Sequence, residues 1–96
     1  MLYTVDDDGW ADRWIRNDRP IAAQIQEMRA WLKGLEVDPK QYPSGQASME
    51  HFQPGPGELR AALILWAAAL IVYTVDYVAG TIRVLHLGAD PPEYMS

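Results

Sequence analysis

Cysteine is absent from the chain, which removes disulfide frameworks, thiolate metal sites and thiol nucleophiles together. Basic residues are scarce. Eight Lys and Arg stand against thirteen acids, the net charge is −5, and no two basic residues are adjacent. Binding a phosphate backbone calls for a basic patch, so the composition argues against a nucleic-acid partner. The opening MLYTVDDDGW lacks the basic start and apolar stretch of a secretory signal. A phosphate-cradling glycine loop is missing, as is any nucleophile with a base nearby, so no enzymatic activity is expected. Asp6, Asp8 and Gly9 echo part of a calcium loop, but Thr4 and Ile15 stand where that loop needs its first acid and its closing glutamate. A capped turn before Trp10 is the expectation there. Histidine occurs only at His51 and His86, and this spacing supplies no metal site. His86 is the one residue placed to reach a pigment or haem held by a larger complex, although a lone histidine is ordinarily an interfacial residue. No cofactor is expected.

What the chain does have is a long apolar run. Ala61 to Val75 carries no charge, and the twenty-two residues between Arg60 and Arg83 include a single charged side chain, Asp76. Wound as a helix at about 1.5 Å per residue, the stretch covers roughly 33 Å, enough for a hydrocarbon core of roughly 30 Å. The expected fold class is therefore mainly α, with a single transmembrane helix preceded by a short amphipathic helix and an extended Pro/Gly-rich arm. Residues 1–38 read as an N-terminal cytoplasmic helical segment, 39–57 as a linker, 58–85 as the transmembrane helix and 86–96 as a C-terminal tail. Within the first segment, MLYTV is extended, Trp10 to Asn17 makes about two turns of helix, and Asp18 and Pro20 open a second helix. Ile21, Ile25, Met28, Leu32 and Leu35 recur at spacings of 4, 3, 4 and 3, an apolar stripe that ends near Gly34. That stripe is expected to pack on Trp10 and Trp14, on a neighbouring subunit, or on a membrane surface. The linker has four prolines and three glycines, and its Tyr42, Met49 and Phe52 offer points of attachment to a partner.

On the expected membrane helix, Ala62, Trp66, Ala69, Tyr73, Asp76, Gly80 and Arg83 form one line. Small residues and a carboxylate there predict a helix–helix contact with other membrane subunits, while Leu63, Val72 and Val78 face the lipid bilayer. Asp76 is either buried against a partner or interfacial. Seven of the eight basic residues lie at or before Arg60, which places the N-terminus in the cytoplasm.

Two functional readings follow. The first is a non-catalytic single-pass accessory or assembly subunit of a larger membrane protein complex, with a phage holin-like protein as a variant. The second is a small soluble α+β protein with a C-terminal hairpin, serving as a structural or assembly component such as a virion part. In that reading Ile71–Tyr77 and Thr81–Leu87, rich in Val, Ile, Thr and Tyr, are strands joined through Val78-Ala79-Gly80, and residues 58–70 are a buried helix.

Overall fold

The computed structural model describes residues 2–40, 48–52 and 57–89. Its elements run β1 (Thr4–Asp6), α1 (Trp10–Asp18), α2 (Ala22–Gly34), β2 (Ser48–Phe52), β3 (Gly57–Ile64), a 3-10 turn (Leu65–Ala67), β4 (Ala69–Asp76) and β5 (Thr81–Gly88). The strands form one sheet in the order β1-β5-β4-β3-β2. β1 runs parallel to β5, and every other neighbouring pair is antiparallel. The architecture is α+β, the second of the two arrangements anticipated above.

This overturns the single transmembrane helix over 58–85. No helix among the described residues is long and apolar enough to cross a membrane. The single-pass location with a cytoplasmic N-terminus and the holin-like variant lose their basis with that helix. The apolar run has another physical cause. β4 lies inside the sheet, flanked by β3 and β5, and Ala69, Ile71, Tyr73 and Val75 point into the core shared with the helices. Val72, whose position in the alternation is opposite, is buried as well. On β3, Ala62 and Ile64 join the same core while Ala61 is also buried. Strands buried on both faces lose the polar alternation that marks a half-exposed strand and read as continuous apolar sequence. The run is broken at Leu65–Ala67 and at Ala68, whose φ of 47° turns the chain back. The expected buried helix over 58–70 is therefore absent: seven of those residues, Glu58 to Ile64, are β3.

The β4–β5 hairpin matches the anticipated strands closely, and its turn explains Asp76 and Gly80. Asp76 Oδ1 accepts from the N–H groups of Val78 and Ala79 at 3.0 and 2.9 Å. The Gly80 N–H donates to the Asp76 carbonyl at 2.8 Å. Gly80 sits at φ 71°, where a Cβ is strained. Further along, Val72 pairs with His86 and Tyr73 with Val84, leaving Leu85 as an extra residue in β5. Such a bulge bends a strand and re-aims the side chains beyond it.

The N-terminal half folds onto this sheet. Asp7 accepts from the Gly9 and Ala11 N–H groups, the capped turn expected before Trp10. Trp14 of α1 and Met28, Trp31, Leu32 and Leu35 near or on α2 enter the core. The stripe anticipated on α2 holds for Met28, Leu32 and Leu35, with Ile25 partly buried. Ile21 stands outside it, 67% exposed. Trp31 takes a core position that the heptad spacing passes over. The stripe rests mainly on the sheet, and Gln24 fixes the helix start, accepting from the Ile21 N–H and donating to the Trp66 carbonyl at 2.7 Å. Asp18, expected to cap α2, instead accepts from the Ala89 N–H at 2.8 Å. Part of the expected linker is strand β2, in register with β3 from Ser48↔Ala62 to Phe52↔Glu58. Tyr42 lies outside the described residues.

Candidate functional site

The seven residues expected to line a helix–helix contact are dispersed by the sheet. Ala62, Ala69 and Tyr73 point into the core, and Trp66 is half-buried in the 3-10 turn. Asp76 and Gly80 form the hairpin turn, and Arg83 is exposed on β5. A line at helical spacing scatters between faces once the chain is pleated with period two, so the set forms no common surface.

Two groupings of polar side chains take its place. The first is buried beneath α2. Glu58 and Arg60, two apart on β3, point to the same face, and both are sealed from solvent. Arg60 Nη1 meets Glu58 Oε1 at 3.1 Å, and Arg60 Nε donates to the Tyr73 hydroxyl at 3.1 Å. The Tyr73 hydroxyl in turn donates to the Pro39 carbonyl at 3.1 Å, and the Tyr77 hydroxyl donates to Glu58 Oε1 at 2.7 Å. Burial pushes the Glu58 carboxyl up. The hydrogen bonds from Tyr77 and Arg60, with the charges of Arg60 and Lys40, outweigh that and hold it below its ordinary value. Tyr77 moves the other way: burial first, then its bond to the Glu58 carboxylate, raise the phenol above its ordinary range. A phenol so held gives up its proton less readily, and a carboxylate so held is a weak base. The grouping ties β3, the β4–β5 hairpin and the chain after α2 together.

The second grouping lies where α1 crosses the end of β5. A cavity of about 110 Å³ is lined by Trp10, Arg13, Trp14, Asn17, Asp18 and the chain from His86 to Ala89. Trp10 and His86 face each other with ring centroids 5.1 Å apart and planes tilted by 55°. The Arg13 guanidinium covers the Trp10 ring at 4.6 Å. Trp14 is 1% and His86 9% exposed, and neither the Trp14 indole N–H nor His86 Nε2 has a hydrogen-bond partner. Among the described residues no cluster of His, Asp or Glu is arranged to hold a metal ion. A broader open cleft of about 460 Å³ lies between α1 and α2, where Asp7, Asp12, Arg29, Lys33 and Glu36 mix both signs of charge.

No family model, curated protein or solved structure matches this chain. The functional reading therefore rests on the chain's own chemistry. His86 was singled out in the sequence as a lone histidine; the fold gives it Trp10 and Trp14 as neighbours. That pairing leaves no trace in sequence spacing, since it depends on α1 docking against β5. The Glu58–Arg60 pair did have a signal, an acid and a base two apart ahead of an apolar run, which a strand places on one face and a helix does not.

Proposed function

We propose that this protein is a structural or assembly component, such as a virion part, working through protein contacts and not through a reaction. The observation that carries the reading is the position of β2 at the end of the sheet order, with β3 its one partner strand among the described residues. An end strand offers backbone donors and acceptors to a strand from another chain, the mode of joining called β-augmentation. The saturated Glu58–Arg60–Tyr73–Tyr77 grouping supports the same reading, because its polar atoms serve the fold. The net charge of −5 favours protein partners over nucleic acid.

The test is gradient sedimentation of native extract under non-denaturing conditions. The protein is expected to co-sediment with a particle many times its own mass. His51→Pro, in the middle of β2, removes a backbone donor and is expected to move the protein to the free fraction while slow amide exchange persists in β4. Wild-type protein that sediments only as a free chain would overturn the proposal.

A further inference from the structure

The open cleft between α1 and α2 holds charges of both signs that the fold leaves unpaired. Arg29, Leu32 and Lys33 share one face of α2, and Glu36 follows the end of that helix; all four line the cleft. Asp7, from the turn before α1, and Asp12, from its first turn, line it as well. Arg29, Lys33 and Asp12 are exposed and Asp7 and Glu36 half-buried, so the cleft is open to a solute. None of the three acids comes within the 4.0 Å of an ion pair to Arg29 or Lys33. Surface ion pairs are worth little, so leaving these charges apart costs the fold little and keeps both signs available. Asp7 is held in place by the Gly9 and Ala11 N–H groups at 3.3 and 3.4 Å, and its carboxylate keeps lone pairs to spare. Arg29 and Lys33 stand four apart on α2, where like charges repel and work against the helix. An anionic group between them relieves that repulsion.

We infer that this cleft binds a small zwitterion, a molecule whose amine and carboxylate are held apart by an apolar body. The carboxylate goes to Arg29 and Lys33. The ammonium goes to Asp7 and Asp12, with Glu36 adding to the negative field. Val5, Ala11 and Leu32 supply apolar surface for the body. A simple anion brings its charge into a space shared with three carboxylates, and a simple cation meets two basic groups. Each suffers a repulsion that a zwitterion avoids by placing both signs correctly. The ligand's charges must be spaced, because the acids and bases of the cleft are themselves too far apart to pair. A volume of about 460 Å³ falls within the roughly 300–1,000 Å³ of small-molecule sites. The inference goes beyond the assembly reading and does not depend on it.

The test is titration of the ¹⁵N-labelled full-length chain with 6-aminohexanoate, following the backbone amide signals of Ala11, Asp12, Leu32 and Lys33. These signals are expected to move saturably. Hexanoate and hexylamine, each with one of the two charges, are expected to bind roughly tenfold more weakly at equal ionic strength. Glycine, with both charges and no apolar body, is expected to be weaker by a similar factor. Arg29→Glu combined with Lys33→Glu makes every charge in the cleft acidic. That variant is expected to lose 6-aminohexanoate and to bind 1,6-diaminohexane in its place, with slow amide exchange in β4 retained. A merely structural role for the two residues does not exchange one ligand for another. Lys33→Gln, a milder change at an exposed position, is expected to weaken 6-aminohexanoate about threefold while hexylamine gains. Amide signals that ignore 6-aminohexanoate, that respond equally to hexanoate, hexylamine or glycine, or that keep the wild-type preference in either variant overturn the inference.

Discussion

At the scale of single residues, Arg60 and Glu58 illustrate how a buried charge pair constrains a small protein. Each lies fully inside, and each depends on the other and on a tyrosine for its hydrogen bonds. Arg60→Leu leaves the Glu58 carboxylate buried without its cation. The expected cost is about 3–5 kcal/mol in urea unfolding, a large share of the stability of a domain this size. Glu58→Gln keeps an acceptor for Tyr77 and is expected to cost less, about 1–3 kcal/mol. The pH dependence has a defined sign. Because Glu58 is held below its ordinary value of 4.5, its contribution is present above that pH and lost as pH falls through the folded-state value. Tyr77 is raised, so its contribution is complete below its ordinary value of 10.0 and is lost as pH rises through the folded-state value. Stability of Glu58→Gln measured below pH 4.5 is expected to fall less steeply than that of the wild type. Parallel acid limbs for the two proteins would contradict the assignment.

At the scale of elements, the strand character of Ala61–Ile64 makes neighbouring positions unequal. Leu63 is 50% exposed and Ile64 0%. Leu63→Lys is expected to change stability by no more than about 0.5 kcal/mol, as surface substitutions do. Ile64→Lys places an unpaired charge in the core and is expected to prevent folding, seen as loss of near-ultraviolet dichroism and of slow amide exchange. The β4–β5 turn gives a milder test. Asp76→Ala removes two acceptor contacts to the turn backbone and is expected to cost about 1 kcal/mol. Gly80→Val forces a β-branched residue to φ 71° and is expected to cost about 1–3 kcal/mol. Thermal melts of the two variants check both values. The α2 stripe was legible from 3.6-residue spacing because one face of that helix meets the sheet and the other meets water. Trp31 was missed because the wider face required by a flat sheet exceeds a two-residue heptad seam.

At the scale of the molecule, the core is shared between distant parts of the chain. Trp14, Met28, Leu32 and Leu35 come from one half, and Ala62, Ile64, Ile71, Tyr73, Val75, Ile82, Val84 and Leu87 from the other. β1 also closes the sheet by pairing Thr4–Asp6 with Thr81–Arg83. Neither half buries its apolar face alone, so a fragment of residues 1–40 is expected to exchange its amides rapidly throughout, including Ile25–Leu35. Slow exchange across α2 in that fragment would show an independent unit.

The sequence by itself determined the local features: both helices and their stops, the capped turn before Trp10, and the acidic, cysteine-free composition, while the two hairpin strands stood only as the alternative to a membrane helix. Each is written in spacing, capping residues or turn residues a few positions apart, where short-range sterics and hydrogen bonding decide. Only the tertiary structure decided what the apolar run from Ala61 to Ile82 is for. Lipid and a two-sided protein core make the same demand on composition, the exclusion of charge, and no local pattern tells one from the other. It also decided that Asp76 closes a turn, that Glu58 meets Arg60 on one face of a strand, and that Trp10 and Trp14 meet His86 around a cavity. Those meetings depend on pleat, register and the docking of a helix against the far end of a sheet, which residues distant in the chain settle together.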